Sequence, residues 1–511
     1  MSKRSPSFLS LWGLFFFAGL VAVIYIFDVS LPWQEKESFQ AAINAKPTSS
    51  TLVIALSDTP TTMHPHDARR ALDLSLIRQL FEGLVRENSQ NPEGIELAAA
   101  QNVYLSEDGK CYTFKLKKTF WSNGEPVTSC DFLRSWQRAA KLSIFSSLFE
   151  DIETTYSELD TTSNSSLRLY APDPETFIVY LKHPQVDFLK KVSCPTFFPI
   201  YRLRTKQLVS NGAYRLHTQS SNHSILLEKN PFYHDIQANT VPYINLSVVF
   251  NIQTASRLLE KQGIHWLGQP WNQSLPNEIK KRLKQKKIQQ VSHPIKGSFW
   301  LTINPEREYL KDPSLRRALS ENINKAHLVD YILQGNQAIA TTLTPTTFSP
   351  SSKPITFSSN DITSSGGKLS LSYPSDILQC VRIAEFLQQE WKTRLGLHVC
   401  LKGVEYRRLI EERSKKCYDI VTQTGTALYP GKEGFYPIIL KQFSDIYSET
   451  NADLLKTTPV QRQEDFLLEN HIVIPLYHLS QEFFLSIPIK NIIFCSDGSV
   501  DLKYVELCSK R

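Results

Sequence analysis

The residue types that do covalent chemistry are present but scattered. Twelve histidines are spread along 511 residues. The tightest pair is His64-Pro65-His66, and two ligands on one turn do not make a metal centre, so the pair reads as structural. Eight cysteines, Cys111, Cys130, Cys194, Cys380, Cys400, Cys417, Cys495 and Cys508, form no C-x-x-C pair and have no histidine at zinc-finger spacing. An exported chain permits disulfides among them, with Cys380, Cys400 and Cys417 grouped in one subdomain. G-x-S-x-G, H-E-x-x-H, P-loop and G-x-G-x-x-G motifs are missing. No catalytic constellation, metal or cofactor is therefore expected, and an enzyme is disfavoured. What remains is non-covalent chemistry. Arg69 and Arg70 are adjacent, and a guanidinium suits planar, bidentate recognition of a carboxylate. The run Lys280–Lys287 (KKRLKQKK) is the one basic cluster. Its plain reading is a solvated helix face; the other is a phosphate or lipid-headgroup contact.

Length and composition bound the rest. The chain is long enough for two to four cores of roughly 150 residues each. At 41% hydrophobic and 21% charged it has the make-up of a soluble globular protein. A formal charge of +7 among 57 basic and 50 acidic side chains is a mild bias, so no nucleic-acid partner is expected. The N-terminus is more informative. Lys3 and Arg4 precede an uncharged apolar run, Phe8–Phe27. A run of this length, at about 1.5 Å per residue, spans the roughly 30 Å hydrocarbon layer. The basic flank before it, and Asp28, Glu35 and Glu37 after it, place the remainder outside the cytoplasm. No clean small-residue cleavage site follows, which favours an uncleaved signal anchor over a cleaved signal peptide. No cysteine precedes Cys111, so an acyl-cysteine anchor is not available. Residues 28–50 are polar, end in Pro47-Thr48-Ser49-Ser50 and read as a tether.

Periodicity and turn chemistry supply the elements. Thr51–Leu56 reads as a short apolar strand, and Asp73 as the cap of a helix carrying Leu76, Ile77, Leu80, Phe81 and Leu84. Tyr112, Phe114 and Leu116 alternate with polar neighbours, a half-buried strand that Ser122-Asn123-Gly124 ends. Thr128, three residues before Asp131, opens a helix in the manner of a capping box, with Phe132, Leu133, Trp136, Ala139 and Ala140 on one side. Thr154–Ser166 reads as a Ser/Thr-rich loop, followed by strands at Leu167–Tyr170 and Thr176–Leu181. Phe299–Asn304 is a strand. Asp312-Pro313 caps a helix with the stripe Leu315, Ala318, Leu319 and Ile323. Thr341–Lys368 is a long surface loop. Ser375 or Asp376 starts the clearest helix and Gly396 ends it, with Ile377, Val381, Ala384, Leu387, Trp391 and Leu395 recurring every three or four residues. Strands follow at Leu397–Leu401, Tyr418–Thr422 and Ile472–Tyr477.

Several of these stretches resemble one family. Trp121-Ser122-Asn123-Gly124-Glu125-Pro126-Val127-Thr128-Ser129-Cys130-Asp131-Phe132 is similar to the signature segment of the extracytoplasmic oligopeptide-binding proteins of ABC importers. Leu80-Phe81-Glu82-Gly83-Leu84 matches the family's opening helix, though the Leu-Asp expected before Pro65 is Met63-His64. Asn211-Gly212-Ala213-Tyr214-Arg215-Leu216 and Leu227–Tyr233 resemble its N-G-P-Y-x-L and L-x-x-N-P-x-Y pair, and Arg316 to Lys325 its R-x-A-L-x-x-x-I-x-[KR] element. The resemblance covers about 50 to 510, with gaps near 345–365 and 430–460. It implies an α/β, two-lobed periplasmic-binding-protein-like fold of type II with an extra inserted subdomain, preceded here by a single N-terminal apolar helix. The implied division is 1–28 anchor or signal, 29–50 tether, 51–94 domain I, 95–205 inserted domain II, 206–297 domain I again, 298–486 domain III and 487–511 a return to domain I.

The resemblance also implies a mode of action. Two lobes close by hinge motion over an extended peptide, which pairs its backbone with protein strands. Two segments would line the cleft: Ala68–Leu72, with Arg69, Arg70 and Ala71, and Thr422–Tyr429, with Thr424, Gly425, Thr426, Ala427, Leu428 and Tyr429. Peptide binders of this kind carry an acidic residue in the first segment and W-x-A-D-Y in the second, whose Asp holds the ligand's α-ammonium. Here the Trp position is Gly425 and the Asp position is Leu428; only Ala427 and Tyr429 persist. The expectation is a ligand with a carboxylate or other anionic group held by Arg69 or Arg70. The implied function is the substrate-binding component of an ABC-type oligopeptide importer, delivering a peptide or peptide-like ligand to a permease driven by ATPase subunits. It is anchored outside the cytoplasmic membrane by residues 8–27. The rival from another class is a surface adhesion or interaction protein that reuses the fold after losing its ligand anchor; a hydrolase with an unfamiliar motif is a second.

Overall fold

Two strands run the length of the main sheet. Gln289–Ile303 and Val473–Leu485 pair antiparallel, from Gln289 opposite Leu485 to Thr302 opposite Val473. At one end the ribbon meets Trp266–Gly268, and beyond it Thr51–Leu56 and Tyr243–Val248, which are parallel to each other. At the other end it meets Ile420–Thr426, with Leu369–Pro374 and Val399–Val404 parallel beyond. Val473–Leu485 is buried almost throughout, polar His478, Ser480, Gln481 and Glu482 included, so its burial does not alternate. The computed structural model describes residues 51–91, 93–142, 146–156, 165–202, 207–219, 224–345, 369–446 and 459–508. The apolar run 8–27, the tether 29–50, most of the expected loop at 341–368 and part of 430–460 lie outside the described residues. Among the described residues no helix is long and apolar enough to cross a membrane.

Midway along the ribbon the register slips. Pro294 lies opposite Ser480 and Ser298 opposite His478, so Ile295, Lys296 and Gly297 bulge against Leu479 alone. A Cβ at Gly297 would come within 2.8 Å of the Gly425 carbonyl oxygen and 2.8 Å of Leu479 Cδ1, so only glycine fits.

Two large cores flank this ribbon. The first packs Leu52, Ile54 and Leu56 with Leu76, Ile77 and Leu80, and extends into a four-stranded sheet in the order Ala100–Leu105, Cys111–Leu116, Thr176–Tyr180, Leu169–Asp173. There the expected strand and helix form as read. Tyr112, Phe114 and Leu116 are buried, and the Asp131 carboxylate accepts the Thr128 N–H at 2.8 Å. Trp136 on Ser129–Ala140 meets Phe177 and Phe197 edge-to-face, with centroids 5.0 and 4.8 Å apart. The second core packs Leu301, Ile303, Leu371 and Ile420 against Ile383, Leu387 and Trp391 of the helix Leu378–Leu395. Gly396, at φ +66°, ends that helix and donates to the Lys392 carbonyl.

The motifs that carry the resemblance converge on one joint. The Asn211 side chain accepts from the Glu82 N–H (3.1 Å) and donates to the Glu82 carbonyl (2.9 Å). Gly212 lies so close to Leu80 that a Cβ would sit 2.5 Å from its carbonyl carbon. Ser122 N–H reaches the Ser210 carbonyl at 2.7 Å. Glu82 is fully buried and binds Tyr233 Oη, His234 Nε2 and Arg86. The cation beside it holds its carboxyl down to about 2 against the penalty of burial.

Several expectations are corrected. The first helix is Ala71–Leu80, so Asp73 lies inside its first turn and Arg70 is its N-cap residue. Burial of Asp73 among donors explains the shift: its carboxylate accepts from Thr61 N–H at 2.9 Å and from Arg70. The later helix begins at Leu378, past both proposed caps, with Val381 and Leu395 only half-buried. Its following strands run two residues late, at Val399–Val404 and Ile420–Thr426. The stretch read as a loop from Thr154 pairs Thr154–Tyr156 with Ser165–Leu167. No disulfide forms: all eight cysteines are free, with Cys400 and Cys417 exposed and Cys380 buried.

The chain's last part folds back onto the first core as a hairpin, Ile493–Phe494 with Val500–Asp501. Its turn is fastened from below. Arg78 donates to Asp497 and to Ser499 Oγ, both at 2.7 Å, and Glu87 Oε1 accepts the Ser496 N–H at 2.7 Å and its hydroxyl at 2.5 Å. Glu87 Oε2 has no hydrogen-bond partner among the described residues. Burial, reinforced by Asp497 and opposed by Arg78, pushes the Glu87 carboxyl up to about 7. An acid whose pKa is raised on folding stabilises the native state when protonated, so this contribution is present below about 4.5 and lost as pH rises through about 7. Glu87→Gln is expected to flatten the fall in Tm between pH 5 and pH 8; an unchanged slope would show that other groups cause it. Gly297→Val overpacks the joint between the ribbon and Ile420–Thr426, with an expected loss of about 1–3 kcal/mol in urea unfolding.

Candidate ligand-binding cleft

The first predicted segment is a short loop entering the helix Ala71–Leu80. Ala68 is buried there and Arg69 is exposed. Arg69 donates to the carbonyls of Ala68 (2.7 Å) and His66 (2.8 Å), which draws the loop into a tight turn. Arg70 is tied to protein acids: Nη1 lies 2.9 Å from Asp58 and Nε 3.0 Å from Asp73, and Nη2 donates to the Thr59 carbonyl. Those hydrogen bonds raise its pKa further. Arg70 is therefore a clamp on the loop. His66, fully buried, sits 3.1 Å from Ser135 Oγ, and Arg138 lies 2.9 Å from His64 Nε2. The two imidazoles thus join this loop to the helix Ser129–Ala140, and burial pushes His66 down to about 3.

The second segment is the end of the strand Ile420–Thr426 and the loop after it. Leu369–Pro374 is followed by a helix and then Val399–Val404 on one side; a second helix leads to Ile420–Thr426 on the other. The strand order therefore reverses between Leu369–Pro374 and Ile420–Thr426. In open α/β sheets, ligands bind outside the carboxyl ends of the strands at such a point. Thr424, exposed, and Gly425 sit at that end. It opens on a small cavity of about 50 Å³ whose lining includes Phe299, Pro374, Ile377, Tyr406, Arg413 and Thr424. Gly425 is crowded: a Cβ would meet Ile438 Cδ1 at 2.8 Å and Trp300 Cη2 at 3.1 Å, so either neighbour would have to shift. The indole expected at this position is thus displaced by Trp300 from the neighbouring strand.

Beyond the strand, the loop docks on the first core. Ala427 N–H donates to the Lys296 carbonyl of the bulge at 2.6 Å. Leu428 packs against the first core, and its carbonyl accepts from Cys194 Sγ at 2.8 Å. Tyr429 is buried, with Lys191 Nζ 5.8 Å from its ring centroid. Burial raises the Tyr429 phenol, and Asp187 beside it adds to the effect.

The two segments meet at a third that sequence reasoning missed, the turn Ser496–Ser499. A Cβ at Gly498 would lie 3.9 Å from Ala71 Cβ and 3.5 Å from Ile295 Cδ1. Thr426 Oγ1 lies 3.4 Å from the Asp497 carbonyl, and Gln481 Nε2 donates to that of Gly498. Ala71 and Thr426 therefore flank one turn, joined through the bulge. The Ser-Asp-Gly-Ser run was legible as a turn, but nothing local announced that it returns across some 420 residues to Arg78. A larger groove of about 410 Å³ lies away from all of these residues, between Leu259–Gln262, Lys286–Gln289 and Leu485–Pro488.

Residues 94–445 match the model of the bacterial extracellular solute-binding proteins, family 5 Middle. The chain is 28% identical over 415 residues to the oligopeptide-binding protein OppA of Bacillus subtilis (strain 168), covering 73% of this chain and 74% of that one. It is 26% identical over 436 residues to the periplasmic murein peptide-binding protein MppA of Escherichia coli (strain K12), covering 78% and 79%. Among solved structures it is similar to the pheromone receptor PrgZ, with a TM-score of 0.74, 21% identity and 90% and 100% of the two chains covered. Listeria monocytogenes OppA bound to peptide gives a TM-score of 0.71 at 21% identity, with 90% and 99% covered. The motifs at the Glu82 joint, the mixed sheet and a family match spanning more than two thirds of the sequence agree: the chain belongs to the bacterial extracellular solute-binding proteins of family 5.

Proposed function

We propose that the chain is the substrate-binding component of an ABC-type oligopeptide importer, which closes two lobes over an extended peptide or peptide-like ligand and passes it to a permease with its ATPase subunits. The observation that carries this reading is the meeting of Ala71, Thr426 and the Ser496–Ser499 turn at the carboxyl end of Ile420–Thr426, in a chain of this family. The names of the relatives, which speak of oligopeptides and murein peptide, support a peptide-like ligand. One lobe is formed by 51–94, 206–297 and 487–511 with the insertion 95–205, the other by 298–486. The bulge at Ile295–Gly297 is the hinge. Residues 8–27 hold the protein on the outer side of the cytoplasmic membrane. It carries out no reaction on its ligand.

The ligand is bound by Arg69, Ala71 and Thr424–Tyr429. Leu428 leaves an α-ammonium without a carboxylate at the position where relatives place one, so affinity does not depend on a free N-terminus. Arg69, at the exposed rim, takes the anionic group. Calorimetry with a peptide series tests both points. N-acetylation is expected to leave affinity nearly unchanged. Amidation of the C-terminus is expected to cost about tenfold or more, the worth of a charged hydrogen bond of roughly 1.5–3 kcal/mol, and Arg69→Ala to erase that difference. Loss of binding on N-acetylation, with Arg69→Ala neutral, would refute the anchor. Failure of any peptide to raise Tm would favour the adhesion reading.

A further inference from the structure

The basic run Lys280–Lys287 plays no part in the cleft, and its side chains divide into two sets. Lys280 is buried and pairs with Glu482. Arg282 pairs with Glu260 at 3.0 Å and donates to Gln253 at 3.0 Å. Lys280 thus fastens the helix Asn277–Gln285 to the strand Val473–Leu485, and Arg282 fastens it to the helix Ile252–Glu260. Lys281, Lys284, Lys286 and Lys287 are exposed, and no described residue pairs with their ammoniums. Lys261, just past the end of the helix Ile252–Glu260, is exposed and unpaired in the same sense. The 410 Å³ groove lies between the two helix ends, lined by Lys261, Lys286 and Lys287 with Leu485, Ile487 and Pro488. Glu260 is its one carboxylate, already neutralised by Arg282. Two helix C-termini, each worth about half a negative charge, balance roughly one of these five lysines and leave about four.

The second observation is where the chain enters. Residues 1–50, with the apolar run 8–27, join the described body at Thr51. Thr51–Leu56 starts beside the groove: Val53 N–H donates to His265 Nδ1 at 3.1 Å, and His265 N–H to the Val53 carbonyl at 2.7 Å. Ser486, which lines the groove, donates its N–H to the His265 carbonyl at 3.1 Å. The lysines that line the groove and Thr51, where residues 1–50 join the body, therefore share one edge of the first lobe.

We propose that this edge is a docking face for an anionic lipid bilayer, with Lys261, Lys281, Lys284, Lys286 and Lys287 on the phosphates of the headgroups. Charge complementarity and the entry of residues 1–50 at Thr51, on the same edge, select a lipid surface over a soluble partner. Basic residues clustered beside a membrane segment bind anionic headgroups through the surface potential, within about one screening length. The proposal rests on the proposed membrane anchor for its proximity and is independent of the peptide reading.

The test uses the full-length chain with vesicles of phosphatidylcholine, alone or with about one third phosphatidylglycerol, and maps lysine acylation by mass spectrometry. The five lysines are expected to react at least about threefold more slowly on the anionic vesicles, with Lys392 on the far core unchanged. About 0.5 M salt, where the screening length falls to roughly 4 Å, is expected to restore their rates. K281E/K284E/K286E/K287E is expected to remove the difference at Lys261, the one lysine of the five it keeps. Equal rates on both vesicles overturn the proposal, as does a difference that survives the charge reversal. Slowing of the same size by inorganic phosphate without lipid also overturns it, since the groove is then a small-anion site. Flotation on phosphatidylcholine alone reports the anchor separately, so the two readings fail by different results.

Discussion

Two paired strands belong to both cores, and the rest of the structure hangs from them. A ladder of backbone hydrogen bonds resists bending wherever it is unbroken, because each buried N–H and C=O must keep a partner. Gln289–Ile303 and Val473–Leu485 break it at Ile295–Gly297, where three residues face one. The three residues of the bulge are the ones that touch everything else near the site. Ile295 reaches the Gly498 turn, the Lys296 carbonyl holds Ala427, and Gly297 admits the Gly425 carbonyl. The bulge therefore ties the turn, the loop and the strand end together, the coupling that the proposed hinge requires.

That coupling explains the departures from the family pattern in the second segment. Gly425 follows from Trp300 and Ile438, which already fill the space above it. Leu428 follows from where it lands, against an apolar core with its carbonyl satisfied by Cys194. A carboxylate at Leu428 would be carried toward that apolar surface, where a charge without a partner is costly. The loop is thus held by packing and by Tyr429.

Local features were legible in the sequence and long-range ones were not. The strand through Phe114, the capping box at Thr128 and Asp131, and the αL stop at Gly396 each depend on residues within one or two turns of themselves. So did the pattern of the helix Leu378–Leu395, though its start was misplaced because neither Ser375 nor Asp376 supplies the cap and the chain stays extended through Ile377. The role of Arg70 was not legible, because two aspartates surround it, and Asp73 looked like a cap rather than a buried acceptor. Arg78 and Glu87, nine residues apart, form one cluster with Asp497 from the far end of the chain, and no periodicity links them.

The family motifs themselves are joints rather than ligand contacts. Asn211 and Gly212 clamp the end of the helix Ala71–Leu80, Tyr233 closes on Glu82, and the Ser122 turn rests on Ser210. Each needs its residue type for a geometric reason: an amide that both donates and accepts, a glycine where backbones touch, a phenol that reaches a buried carboxylate. Such joints hold the four-stranded sheet against the rest of the first core. The residues that face a ligand carry no such burden and are free to change. A chain can therefore keep the signature segment nearly intact while its Asp becomes Leu428, so the signature identifies the scaffold, and the ligand must be argued from Arg69 and the loop after Thr426.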